Sequence, residues 1–177
     1  MAQDLHLTGN EVFFDEDEII VSKTDLKGRI TYCNDVFLRV AGYSERELLG
    51  QPHNIVRHPD MPRCVYKLLW DTLAAGREIF AYVVNRARNG DHYWVLAHVT
   101  PSRDKHKQVI GYHSSRRVPD RGVVTEKIVP LYRSLLAVEQ KQGNRKEGML
   151  EAFRTVAALL EESGVDYDEF VWRLKAA

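Results

Sequence analysis

Asn89-Gly90 stands between two long extended runs, IFAYVVNRAR and DHYWVLAHVTPS, and this arrangement limits the fold more than any other feature of the chain. Asn-Gly is the dipeptide that tight hairpins favour, because both residues tolerate backbone angles that other side chains resist. The two runs are therefore predicted to be neighbouring antiparallel strands. QVIGYHSSRRV reads as a further strand after them. Upstream, IIVSKTD and RITYCN flank the turn DLKG and read as another hairpin. The strands number five, all reachable by antiparallel pairing.

Helical signals fill the gap between the second and third strands. NDVFLRVAGY opens on Asn34 as a cap and stops at Gly42. Ser44 and Glu47 are spaced as a capping box. QPHNIVRHPDMP carries three prolines in twelve residues, which forbids a long helix. Pro62 suits the first position of the next helix, where Val65, Leu68, Leu69, Thr72 and Leu73 recur at helical spacing up to Gly76. Beyond Pro119 the pattern is helical, over Val123–Gln142, Lys146–Ser163 and Asp166–Lys175. Gly143 and Gly164 mark the breaks, Asp166 and Glu169 form a second capping box, and Pro130 kinks the first helix or delays its start. The predicted class is α+β, a five-stranded antiparallel sheet with short helices on one face and a helical C-terminal segment. Residues 1–18 read as an arm, 19–121 as the sheet domain and 122–177 as a helical extension. A pocket between the helix layer and the sheet is the natural ligand site.

Charge narrows the functions. Lys plus Arg and Asp plus Glu are 25 each, so the electrostatic case for nucleic-acid binding is absent. Hydrophobic residues at 44% and charged residues at 28% suit a globular domain. No apolar run approaches the ~18–20 residues of a membrane-spanning helix, and the first residues lack a signal-peptide pattern. The expectation is a cytoplasmic protein without direct membrane insertion, with Cys33 and Cys64 as free thiols. No Ser–His–Asp pattern, phosphate-binding glycine loop or metal spacing argues for an enzyme. His92 and His98 share a strand face but lie too far apart for one ion.

The order of elements, with DLKGRITYCND, GYSERELLGQPHNIVRHPDMP, NRARNGDHYWV and IGYHSSR, resembles a PAS domain, in particular the flavin-binding PAS domain of bacterial aerotaxis receptors. The resemblance covers about Ile19 to Val118 and, through IVPLYRSL, extends to about Leu136. From about Gln140 onward it has no counterpart. It implies FAD as cofactor, with Asn34, His53, Asn54, Arg57, His58, Asp60, Trp70, Asn85 and His113 as contacts.

Each of these residues has a plainer reading. Arg57 offers a cationic fork for a phosphate or carbonyl. His58 and Asp60 could bond the cofactor or brace Arg57, or Arg57 and Asp60 could be a surface ion pair. Trp70 stacks on a ring or belongs to the core. Asn85 presents an amide donor and acceptor to a ring edge, or is an exposed strand asparagine. His53 stands where the related light-oxygen-voltage domains carry a photoreactive cysteine, so no light-driven adduct is expected. His113 aligns with their flavin-facing glutamine.

Along DHYWVLAHV, Tyr93, Val95, Ala97 and Val99 share the face beneath the ring. His92, Trp94, Leu96 and His98 share the other, which needs cover from the N-terminal arm or a second subunit. Ile79 and Ala81 replace a tryptophan and a glycine of the aerotaxis pattern and could narrow the pocket. The expected function is a redox or oxygen sensor, a homodimer serving a separate chemotaxis receptor or histidine kinase. The alternatives are a haem- or small-molecule-binding sensor and a cofactor-free interaction module.

Overall fold

The computed structural model describes residues 6–176. The first five residues of the predicted arm lie outside the described residues. Strands β1 (Ile20–Thr24), β2 (Ile30–Cys33), β3 (Ile79–Arg86), β4 (His92–Arg103) and β5 (Val109–Arg117) form one antiparallel sheet in the order β2-β1-β5-β4-β3. Between β2 and β3 come α1 (Asp35–Ala41), α2 (Glu45–Leu48), a 3-10 turn (His53–Val56) and α3 (Arg63–Ala74). After β5 come α4 (Arg121–Val123), a π-helical turn (Val124–Ile128), α5 (Val129–Lys141), α6 (Arg145–Ser163) and α7 (Tyr167–Ala176).

The Asn89-Gly90 hairpin forms with Arg86 opposite His92. Its turn differs from the tightest type in that only Gly90, at φ 95°, takes a positive angle. The Gly90 N–H donates to the Ala87 carbonyl at 3.1 Å, and the Ala87 N–H to the Asp91 carbonyl at 2.7 Å. This is the slightly longer loop with the glycine as its bulge.

Phe37, Val40, Leu48, Leu69 and Leu73 from the helix layer are buried together with Ile20, Ile30, Ile79 and Val95 from the strands. The opposite face of the sheet is covered too, and here the expectation is corrected. Most of the cover comes from the chain's own C-terminal helices. Tyr132 of α5 packs on Trp94 at 6.1 Å between ring centroids, and Trp172 of α7 meets Phe80 at 5.2 Å. The N-terminal arm instead pairs alongside β4, the Val12 N–H donating to the His92 carbonyl and the His92 N–H to the Asn10 carbonyl. The apolar stripe of the extension, Ile128, Leu131, Leu135 and Val138, thus packs back on the domain.

The extension also guards an edge. β3 ends the sheet, and a free edge strand invites pairing with another chain. The Tyr132 hydroxyl donates to the Tyr82 carbonyl at 2.5 Å, Asp168 accepts from the Phe80 N–H at 3.0 Å, and Arg57 forms a backbone bridge to Asn85.

Pro130 shapes the entry to the extension. Lacking an N–H, it leaves the carbonyl one turn earlier without its helical donor. The chain widens there into the π-helical turn, with the Val129 N–H donating to the Val124 carbonyl. The single predicted helix over Val123–Gln142 is therefore three helical segments.

Candidate functional site

A cavity of about 500 Å³ opens between α3 and the sheet, within the ordinary range for small-molecule sites. Strand alternation decides which side chains reach it. Val83 and Asn85 of β3, Ala97 and Val99 of β4, and Tyr112, Ser114 and Arg116 of β5 all face inward. Helix α3 lays Tyr66, Leu69, Trp70 and Leu73 across the top, while the proline-bent segment contributes His53, Asn54 and Arg57. Trp70 stands at the rim, 41% exposed, with its edge against Tyr112 at 5.5 Å. It leans over Gly28, where a Cβ would come within 3.2 Å of the indole and φ is +74°. A side chain at position 28 would both strain the turn and press on the tryptophan.

The charge in the cavity is one-sided. Lys27, Arg57, Arg63, Lys67 and Arg116 line it, and no Asp or Glu does. Arg57 lies over the Tyr66 ring at 4.6 Å, and Lys67 is held by Asp71 at 2.6 Å. Arg116 is the unusual member. It is 2% exposed, its guanidinium lies 4.5 Å over the Phe37 ring, and its Nη2 donates to Ser22 Oγ. Its Nε and Nη1 have no hydrogen-bond partner. Two free donors on a buried cation are costly unless something anionic meets them.

Residues 30–116 match the family model described as the PAS fold. Over 138 residues the chain is 41% identical to the aerotaxis receptor of Escherichia coli, covering 77% of this chain and 27% of that protein. The chain contains a PAS domain of the aerotaxis-receptor type. It is also 31% identical over 99 residues to the nitrogen fixation regulatory protein of Klebsiella pneumoniae, covering 56% of this chain and 20% of that one. It thus spans about a quarter or less of these relatives. Among solved structures, the PAS domain of a protein from Colwellia psychrerythraea superposes with a TM-score of 0.53 at 20% identity, over 57% of this chain and 86% of that one. The light-state Aureochrome1 LOV structure gives 0.52 at 22% identity, over 72% and 93%. At such identities these likenesses speak for the fold alone.

Of the predicted contacts, His53, Asn54, Arg57, Trp70 and Asn85 line the PAS cavity, and Asn34, His58, Asp60 and His113 do not. Asn34 is spent elsewhere. Its side chain accepts from the Val21 N–H at 2.9 Å and the Phe37 N–H at 3.1 Å, and donates to the Ile19 carbonyl at 2.8 Å. It caps α1 and ties it to β1. His58 is buried against His92 at 5.7 Å, and its Nδ1 accepts from the Asp60 N–H. The Asp60 side chain is exposed, 3.8 Å from His58 rather than paired with Arg57. His113 falls on the far face because its neighbours Tyr112 and Ser114 face in. Ile79 and Ala81 are buried in the core and do not line the cavity. Both cysteines are buried free thiols, with burial pushing Cys64 up to about 12.

Sequence reasoning missed Ser22, Tyr66, Ser114 and Arg116. The signal for Arg116 existed in the register, since Ala97 pairs with Arg116 and Val99 with Ser114. Finding it required knowing how β5 aligns on β4.

His53 shows what the buried charge does to its neighbours. Its Nε2 lies 3.1 Å from Ser22 Oγ, and its ring stacks on Phe37. Desolvation, then the charge of Arg116, push it down to about 3. It is neutral at pH 7 and shares a hydrogen bond with the Ser22 hydroxyl, which accepts from Arg116. Because the folded value lies below the unfolded one, only the unfolded chain takes the proton between about pH 6.5 and 3. Stability is intact above that window and falls as the pH drops through it, by at most about 1.4 kcal/mol per pH unit. Urea midpoints should therefore decline from pH 7 to pH 5, and His53→Gln should flatten the decline. An unaltered slope in the variant would remove His53 as its source.

Proposed function

We propose that this chain is a flavin-binding PAS sensor that takes FAD and reports redox state or oxygen level. The observation that carries the reading is the buried, half-partnered guanidinium of Arg116 in a cavity free of carboxylates. Such a site suits a ligand that is flat, largely apolar and anionic at one or more points. Ala97, Val99, Val83 and Leu69 supply small or apolar walls, and Asn85 supplies a paired donor and acceptor. Arg57, Arg63, Lys67 and Lys27 supply cations for phosphates. FAD, when bound, supplies reversible electron acceptance. The residues around it hold charge and protons in fixed places: burial, then the charge of Arg116, keeps His53 neutral, and Ser22 links the two.

The same reading makes the protein a binding module rather than an enzyme. It acts in the cytoplasm as a homodimer and signals to a separate chemotaxis receptor or histidine kinase. Among the described residues no helix is long and apolar enough to cross a membrane, and no group of three or more metal-binding side chains gathers.

The test is an absorption spectrum of the purified chain, oxidised and then reduced, followed by identification of any flavin released on denaturation. A flavin spectrum that bleaches on reduction and releases FAD is expected, with quenching of Trp70 fluorescence on reloading. A Soret band would replace flavin by haem. A colourless protein that takes up no flavin would leave only the interaction module.

A further inference from the structure

The helical extension is not only a cover for the outer face of the sheet. Its second long helix, α6, packs between α5 and the helix that roofs the cavity. Met149 of α6 lines the cavity beside residues of α3. Three contacts hold the two helices' neighbourhood together. Pro62 precedes α3 and provides no side-chain cap, and the vacant first turn is served from afar by Glu139 of α5, whose Oε1 accepts from the Cys64 N–H at 2.9 Å. Lys67 of α3 lies 4.9 Å from the centre of the Phe153 ring of α6. Gly148 seats α6 directly on the Glu139 backbone, where a Cβ would collide with the carbonyl oxygen.

One feature of this contact is unbalanced. Arg63 is held below the usual arginine range by desolvation, then by the charges of Arg145 and Arg57, against which Glu139 acts in the other direction. Arg145 is the first residue of α6. Arg57, Arg63 and Lys67 line the cavity beside Met149, so an anion there would meet several cations next to the α3–α6 contact.

We propose that the extension completes the binding site: α6 closes the cavity through Met149, and a phosphate-bearing ligand neutralises Arg57, Arg63 and Lys67 beside the α3–α6 contact, so that ligand binding and helix docking strengthen each other. This rests on the flavin reading above and adds which part of the chain responds. By linkage, whatever the ligand adds to docking, docking adds to affinity, commonly ~5–150-fold in coupled systems. The extension is then the element through which occupancy is felt outside the PAS domain.

Hydrogen–deuterium exchange on the full chain, alone and with FAD or riboflavin, tests this. FAD should slow exchange across residues 145–163 at least about 5-fold. Riboflavin, which lacks phosphate, should protect the cavity strands and leave α6 closer to the free state. In parallel, Gly148→Ala, which forces α6 off α5, should weaken FAD binding by about 5-fold or more. FAD that binds and protects β3–β5 while exchange in α6 is unchanged overturns the inference and leaves the flavin reading standing. Equal protection of α6 by FAD and riboflavin overturns the role of the phosphate. If the unaltered chain binds no flavin, both fall together.

Discussion

Arg116→Met should make the ligand-free chain more stable and at the same time cost it most of its affinity for an anionic ligand. The two effects have one cause. In the free protein the guanidinium is 2% exposed, has one hydroxyl partner and leaves Nε and Nη1 unpaired. Burial pushes it down to about 10, which shows how poorly the site suits a charge by itself. Replacing buried charges with an apolar side chain of similar length is commonly neutral or stabilising, by about 1–4 kcal/mol. The lost contact over Phe37 offsets part of that gain, by about 1–2 kcal/mol. The loaded state behaves oppositely. A charged hydrogen bond to a buried group is worth about 1.5–3 kcal/mol, so two of them imply a loss in affinity of about 100-fold or more. Urea denaturation without ligand and flavin titration give the two readouts. Lower stability with unchanged affinity would mean that Arg116 is a structural residue and not a ligand contact.

Tyr132→Ala should cost about 3–5 kcal/mol, the usual range for deleting a large buried aromatic ring. Tyr132 is 4% exposed, packs on Trp94 and donates to the Tyr82 carbonyl at the sheet edge. Its loss removes an anchor of the extension and frees part of β3. Tyr132→Phe, which keeps the ring, should cost only about 1 kcal/mol for the hydrogen bond. The two variants differ in a second way. The alanine variant exposes edge groups able to pair with another chain, so its light scattering should rise with concentration, while the phenylalanine variant should remain like the parent. Equal thermal midpoints for the two would show that the ring contributes little to docking.

The sequence reading succeeded where the signal was local. Alternation over Tyr93–Val99 identified the face that meets the cavity, and the caps at Asn34 and Ser44 identified helix starts. It failed where a long-range alignment decided the matter. A strand shifted by one residue exchanges its faces, and that is the difference between His113, predicted to face the ligand, and Arg116, which lines the cavity. Asn34 could be read correctly as a cap from its neighbours alone, and family likeness added a second role that its three hydrogen bonds leave no room for. His58 and Asp60 lie in the same bent segment as Arg57, but that segment turns so that only part of it meets the cavity. The stripe in the extension required burial somewhere, yet nothing in its periodicity distinguished the domain's own sheet from a second subunit.

The reliance of α3 on Glu139 has a consequence for synthesis. The donor at Cys64 and its acceptor are 75 residues apart, so at ~5–20 residues per second the ribosome takes about 4–15 s to deliver one after the other. During that interval the nascent sheet and its roof helix can form while still lacking their last fastening, a window in which a chaperone, or the cofactor itself, could engage the unfinished chain.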